Sequence, residues 1–175
     1  MHSYRKTALW LPFFYIFLVS ASLPSPPMSG EAIEKYIKKK LRRNDRVLKL
    51  NNKNLGDAGA WVLARSPLLK NVDTLVIYRG RIGDEGVRAL AQSENLKNLK
   101  ALYLENNRIT DEGVRVIASS KTFSQLEVLN LYRNKITDSG AEALANSDLL
   151  SGLVELNLNY NQIGDRGALR LIGSS

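Results

Sequence analysis

Five aspartates, Asp57, Asp84, Asp111, Asp138 and Asp165, stand 27 residues apart, and no other residues in this chain look more like a chemical array. Carboxylates held close together can bind a divalent cation or divide the roles of glycoside hydrolysis between them. Either task needs one pair at one place, whereas here the carboxylate recurs in every unit with similar neighbours. A structural role that each unit requires, capping a helix N-terminus, accounts for the recurrence directly. The other catalytic constellations fail on residue supply. The chain has no cysteine, and its single histidine is His2. Disulfides, cysteine ligands and cysteine nucleophiles are therefore excluded, and no second imidazole exists for a triad or a metal site. No Gly-x-x-x-x-Gly-Lys-Ser/Thr phosphate loop occurs. The residue supply predicts a protein that is not an enzyme and carries no cofactor or metal.

The elements that position the aspartates repeat with them. The phrase appears as Leu55-Gly56-Asp57-Ala58-Gly59, Ile82-Gly83-Asp84-Glu85-Gly86, Ile109-Thr110-Asp111-Glu112-Gly113, Ile136-Thr137-Asp138-Ser139-Gly140 and Ile163-Gly164-Asp165-Arg166-Gly167, with no insertion or deletion between copies. A fixed period of this size indicates a solenoid whose units bury their apolar faces only against their neighbours. Each phrase follows an alternating pair, Leu48/Leu50, Leu75/Ile77, Leu102/Leu104, Leu129/Leu131 or Leu156/Leu158, which marks a short strand with one buried face. After each aspartate, apolar residues fall at i, i+3 and i+4, as in Val87/Leu90/Ala91, Val114/Ile117/Ala118 and Ala141/Leu144/Ala145. That is the inner face of a short helix. Each aspartate is expected to cap its own helix, and the glycine two positions on to admit the neighbouring strand. Leu69, Leu96, Phe123 and Leu150 close the return to the next strand.

The strings Leu102-Tyr103-Leu104-Glu105-Asn106-Asn107-Arg108-Ile109 and Leu156-Asn157-Leu158-Asn159-Tyr160-Asn161-Gln162-Ile163 resemble the leucine-rich repeat. The Asp-x-Gly-Ala/Val helix after them is similar to the ribonuclease-inhibitor-like subclass. The uniform 27-residue period and the Leu-Ala-x-Ser ending resemble bacterial repeat proteins more than the vertebrate inhibitor. The resemblance covers residues 45–175 and implies an α/β, right-handed leucine-rich-repeat solenoid of five repeats, with a parallel concave sheet and convex helices. For function it implies protein–protein recognition. Two departures stand out. The family's backbone-bonding asparagine is present as Asn107, Asn134 and Asn161 but is Lys53 and Gly80 in the first two repeats, so the ladder is expected to loosen at that end. Asp45 replaces the leading leucine of the first repeat, as befits a terminal unit.

The formal charge of +8 is uneven. Residues 31–46 hold seven Lys/Arg against three acids, while residues 47–175 hold sixteen basic and fourteen acidic residues. The high pI thus gives no reason to expect nucleic acid. Residues 1–21 read as a signal peptide, with Arg5 and Lys6 before the apolar run Ala8 to Val19 and a small-residue cleavage site at Val19-Ser20-Ala21. The alternative is a membrane anchor, against which stand the shortness of the run and Pro12. The chain is accordingly expected to be secreted, periplasmic or extracellular. Residues 22–30 (SLPSPPMSG) form a Pro/Ser-rich linker, and residues 31–44 a capping helix with Ile33, Tyr36, Ile37 and Leu41 on one face. Its Lys38–Arg43 run, like the leader, offers a membrane or polyanion contact.

The solvent side of the strands is the remaining candidate. Its columns are Lys49, Val76, Tyr103, Asn130, Asn157; then Asn51, Tyr78, Glu105, Tyr132, Asn159; then Asn52, Arg79, Asn106, Arg133, Tyr160; the loops add Asn54, Arg81, Arg108, Lys135 and Gln162. Tyrosine and arginine bring contact area with a polar tip and dominate interface energetics. Tyr78, Arg79, Arg81, Tyr103, Arg108, Tyr132, Arg133, Lys135 and Tyr160 are therefore the candidate partner-binding residues, and the partner is expected to be a protein with an acidic surface. A second surface is the C-terminal end, where no polar cap follows Leu153, Leu156, Leu158 and Ile163; self-association there is a further expectation.

Overall fold

A computed structural model describes residues 26–173. The leader, 1–21, and the first part of the linker, 22–25, lie outside the described residues. Strands β1 (Val47–Lys49), β2 (Thr74–Val76), β3 (Ala101–Tyr103), β4 (Val128–Asn130) and β5 (Glu155–Asn157) form one parallel sheet in chain order. Every pair has the register of the repeat, so Leu48, Leu75, Leu102, Leu129 and Leu156 fall in one row. Helix α1 (Gly30–Leu41) precedes the sheet, and α2 (Gly56–Arg65), α3 (Asp84–Ala91), α4 (Asp111–Ala118), α5 (Asp138–Ala145) and α6 (Asp165–Ile172) follow the strands in turn. The alternation places the sheet on one side and the helices on the other, the expected α/β solenoid.

The core lies between them and is a set of columns. Leu48, Leu75, Leu102 and Leu129 from the strands meet Leu63, Leu90 and Ile117 from the helices and Leu69, Leu96 and Phe123 from the return segments, all fully buried. Helix α1 closes the first repeat with Ile33 and Ile37 buried and Tyr36 and Leu41 packed at the edge of the core. Ser29 caps it, accepting from Ala32 N–H at 3.3 Å. The helix ends at Leu41, short of residue 44.

The aspartates are caps, but of the following helix. Asp84, Asp111, Asp138 and Asp165 are the first helical residues of their own repeats, behind Gly83, Thr110, Thr137 and Gly164 at the N-cap. A side chain at that first position points along the solenoid, and its carboxylate meets the next N-terminus. Asp57 Oδ1 accepts from Gly83 N–H at 2.7 Å and Gly86 N–H at 3.0 Å. Asp84 accepts from Thr110 N–H at 2.9 Å, Gly113 N–H at 3.0 Å and the Thr110 hydroxyl at 2.7 Å. Asp111 repeats the pattern with Thr137 and Gly140. The glycine is therefore spaced for the preceding carboxylate and not for the strand: a Cβ on Gly113 would lie 2.5 Å from Asp84 Oδ1 and 2.8 Å from Ile109 Cγ2.

The opposite helix ends are tied the same way. Ser93 Oγ donates to Ala64 O, Ser120 Oγ to Ala91 O at 2.7 Å and Ser147 Oγ to Ala118 O, each reaching a terminal helix carbonyl of the preceding repeat. Ser66, with no earlier repeat before it, donates to Glu34 of α1 at 3.1 Å. On the strand side, Asn107, Asn134 and Asn161 accept from Ile82, Ile109 and Ile136 N–H. Their amides donate to Ile77, Leu104 and Leu131 O. The expected loosening at Gly80 is only partial, since the asparagine's acceptor is replaced although no side-chain amide there donates back to the first repeat. The Gly80 carbonyl accepts from Leu55 N–H at 3.1 Å and Gly56 N–H at 3.0 Å, so a backbone oxygen fills the place of the asparagine oxygen.

These junctions give a test by urea unfolding. Asp84→Ala removes a charged acceptor shared by three donors and is expected to cost about 2–3 kcal/mol. Asp165→Ala, at an exposed carboxylate with no hydrogen bond among the described residues, is expected to stay within about 0.5 kcal/mol of the parent. Gly113→Ala, favourable in an ordinary helix, is expected here to destabilise by roughly 1–3 kcal/mol through overpacking.

Candidate functional site: the concave face

Because Leu48 and Leu50 point inward, the residues between and beside them must point out, and the sheet presents three parallel zones. The first lies at the start of the strands and holds a column absent from the sequence-based set: Val47, Thr74, Ala101, Val128 and Glu155. With the next column it forms a shallow groove of about 430 Å³ lined by Val47, Lys49, Asn51, Thr74, Val76 and Tyr103. Tyr103 therefore belongs to a largely apolar patch over β1–β3, apart from the other tyrosines. The missed signal was plain in the alternation, since residues 47 and 49 share a face.

The second zone runs along the strand ends. Arg79 N–H donates to Glu105 O at 3.1 Å and Asn106 N–H to Tyr132 O at 2.9 Å, so Tyr78, Glu105 and Tyr132 sit side by side at ladder spacing. Arg79 stacks its guanidinium 5.1 Å from the Tyr78 ring centre. Tyr132 and Tyr160 pack with ring centres 4.9 Å apart and a 55° tilt. Glu105 is the unforeseen member. Its Oε1 accepts from Asn130 Nδ2 at 3.1 Å, while Oε2 is buried with no hydrogen-bond partner. Burial pushes this carboxyl above the ordinary glutamate value, against a smaller opposing pull from a backbone hydrogen bond.

The third zone is the rim. Asn52, Arg79, Asn106, Arg133 and Tyr160, one per repeat, all adopt left-handed backbone with φ between 52° and 60°, and Arg81 adds a sixth at 61°. The turn out of the strand demands this conformation, and it carries the side chains to the edge of the face. Next to them, Arg108 N–H and Lys135 N–H bond to Ile82 O and Ile109 O at 2.8 Å, which aligns Arg81, Arg108 and Lys135 along the solenoid. None of Arg79, Arg81, Arg108, Arg133 and Lys135 makes an ion pair among the described residues. On the helical side the arginines of α3, α4 and α6 are paired: Arg88 with Glu85 and Glu112, Arg115 with Glu112, and Arg166 and Arg170 with Glu142. The nine sequence-derived residues thus share the concave face or its rim, with Tyr103 in the groove, Tyr78 and Tyr132 in the middle, and Tyr160 and the cations at the rim.

Two other surfaces carry exposed apolar groups. Trp61 on α2 is half exposed beneath the Arg65 guanidinium, 3.2 Å from its ring centre. At the C-terminal end Val154, Leu169 and Ile172 are exposed, and Leu153, Leu156, Leu158 and Ile163 are only partly covered. Among the described residues no group of three or more His, Cys, Asp or Glu side chains is placed to hold a metal ion.

Comparison with known proteins agrees with this architecture. The family described as "Leucine Rich repeats (2 copies)" matches residues 97–146, and the one described as "Leucine Rich repeat" matches residues 153–171. No curated protein matches the chain. Among solved structures, the actin-binding site 2 of leiomodin-1 is similar at a TM-score of 0.54 and 15% identity, over 85% of this chain and 88% of that one. The C-terminal domain of tropomodulin from Caenorhabditis elegans is similar at 0.57 and 13% identity, over 84% and 91%. At these identities the likeness is one of fold.

The buried carboxyl in the middle zone gives a pH-dependent test. With its pKa raised on folding, Glu105 binds its proton more tightly in the folded chain than in the unfolded one. Stability therefore declines as pH climbs from the ordinary value of 4.5 through the folded pKa, and it stays reduced above that. Glu105→Gln keeps an acceptor for Asn130 and removes the ionisation. It is expected to unfold at a higher temperature than the parent at neutral pH, and the difference should vanish below pH 4.5. A gain that persists unchanged in acid would assign the effect to something other than the carboxylate.

Proposed function

We propose that this chain, a leucine-rich-repeat protein, is a non-catalytic recognition module that binds an acidic protein surface through its concave Tyr/Arg face. The observation that carries the proposal is the sorting of charge. Arginines on α3, α4 and α6 have carboxylate partners, whereas Arg79, Arg81, Arg108, Arg133 and Lys135 have none among the described residues; Arg81, Arg108 and Lys135 stand in a row at adjacent repeats, and Arg79 and Arg133 flank Asn106 beside them. Like charges directly beside one another destabilise a ladder, and a partner bearing carboxylates relieves that repulsion. The tyrosines beside them supply contact area at little entropic cost, and the Val47–Val76–Tyr103 groove supplies an apolar flank. The leiomodin-1 structure, named for actin binding, lends general support to protein contact as a use of the fold, and nothing about the identity of this partner is taken from it. The leader-like residues 1–21 favour a partner met on the far side of a membrane.

The test uses the repeats' own variation. Asn52 and Asn106 occupy the same left-handed position as Arg79 and Arg133, so Arg79→Asn/Arg133→Asn keeps the backbone while removing two rim cations. Stability is expected to hold or to rise by roughly 1 kcal/mol, since asparagine tolerates this conformation better. Affinity for a protein captured by the full chain is expected to fall by about tenfold or more and to lose part of its salt dependence. A captured partner that binds the double variant as tightly as the parent would place the interface elsewhere.

A further inference from the structure

The charge sorting has a second instance, at the N-terminal end of the solenoid. Helix α1 turns Ile33 and Ile37 into the first repeat, where both are fully buried. Lys35, Lys38, Lys39 and Arg42 recur at i, i+3, i+4 and i+7, a spacing that gathers them into one stripe on the opposite side of the helix, and all four are exposed. Arg42 extends the stripe because its backbone is still helical, at φ −59° and ψ −26°. Arg43, also exposed, lies beside it. None of these five cations forms an ion pair among the described residues. The nearby acids are few. Glu34 accepts the Ser66 hydroxyl, Asp45 accepts from Asn71 at 3.4 Å, and only Glu31 shares the cationic side of the helix. Behind the stripe, Lys40 and Lys53 lie 5.4 Å and 4.9 Å from the ring centre of Tyr36, which holds both ammonium groups at this end.

We propose that the outer stripe of α1 is a binding site for an anionic phospholipid surface, and that it docks the solenoid end-on. Three observations favour a bilayer over other anions. The stripe faces away from the body at the end of the stack, where a planar array of charges meets all of it. The apolar face of α1 is consumed by the first repeat, so contact is by adsorption to headgroups and not by insertion. Finally, the apolar run Ala8–Val19 is separated from Gly30 by ten residues, a span of at most about 35 Å. A leader still engaged with the bilayer holds the stripe within reach of it. End-on docking has a functional consequence: the concave face runs along the solenoid axis, so its rows stay exposed to a partner while the end is bound.

The experiment is vesicle flotation of the full chain on phosphatidylcholine vesicles and on mixed phosphatidylcholine–phosphatidylglycerol vesicles, at low and high salt. Since the leader itself can bind either lipid, the readout is the difference between the two compositions. The parent is expected to prefer the anionic vesicles and to lose that preference at high salt. Lys35→Gln/Lys38→Gln/Lys39→Gln/Arg42→Gln is expected to reduce binding to the anionic vesicles by about a hundredfold or more, with binding to neutral vesicles and urea unfolding unchanged. The absence of native cysteine allows single labels at Arg43→Cys and Ser151→Cys, and energy transfer to a headgroup dye is expected from the first and not from the second. Equal binding to both lipids, or an unaffected quadruple variant, overturns the proposal. So does retention on heparin together with indifference to anionic vesicles, which would assign the stripe to a linear polyanion.

Discussion

The structure depends on one carboxylate geometry, in which an aspartate at the first position of a helix reaches forward to the N-terminus of the next. Asp57, Asp84 and Asp111 each accept from two backbone N–H groups of the following repeat, three residues apart. The bond satisfies donors that every helix leaves open, and it does so only if the next helix sits at one height and one angle. Glycine at the third helical position is the steric condition, since a Cβ there meets the same oxygen at 2.5–2.6 Å in four of the repeats. Ser93, Ser120 and Ser147 secure the other helix ends, and Asn107, Asn134 and Asn161 the strand side. With two or three such ties at each junction, there is little latitude for an added or missing residue. That is why the period holds at 27 without exception while the concave residues between the ties vary freely.

This explains which parts of the molecule were legible in the sequence. Strand pairs, helix faces and the return column follow from periodicity, and the inward strand residues from Leu48 to Leu131 are buried as expected, while Leu156 and Leu158 are only partly covered. The direction of the aspartate bond was not legible, because a carboxylate that caps its own helix and one that caps the next recur at the same interval. Sequence spacing fixes which residues share a column but not whether a side chain acts within its repeat or across the junction. Gly80 was opaque for a related reason. Losing the asparagine looked like losing both of its bonds, but the main chain at Gly80, where a Cβ would collide with Ile77 Cγ2, presents its own carbonyl to the donors of Leu55 and Gly56.

The candidate site was legible as a list of exposed residues and illegible as an arrangement. All nine chosen side chains lie on the concave face or its rim, yet their division into an apolar groove, an aromatic row and a cationic edge comes from register across repeats. Glu105 shows the limit most clearly. In the sequence it is one polar residue in a solvent-facing column; in the structure its place between Tyr78 and Tyr132 in that row goes with a buried oxygen and a raised pKa. Net charge was equally silent. The repeats are nearly neutral as a whole, and only their three-dimensional arrangement shows that acids pair with the arginines of α3, α4 and α6 and, among the described residues, with none of the rim cations.

The rim conformation argues that its residues serve something other than the scaffold. Every repeat must place one residue in left-handed backbone where the strand turns toward the helix, and for a side chain other than glycine or asparagine this costs roughly 1–2 kcal/mol. Asn52 and Asn106 show that the scaffold accepts the inexpensive choice. Arg79, Arg133 and Tyr160 hold the same angle with side chains that gain nothing from it, and repeat two adds Arg81, so that both neighbours of Gly80 are left-handed. Arg79 stacks on Tyr78 and Tyr160 on Tyr132, and none of the rim arginines forms an ion pair among the described residues. Packing explains the backbone angle, helix capping explains the period, and neither explains why arginine and tyrosine stand where asparagine fits. Their side chains lie beside the concave face, where the proposed partner would meet them.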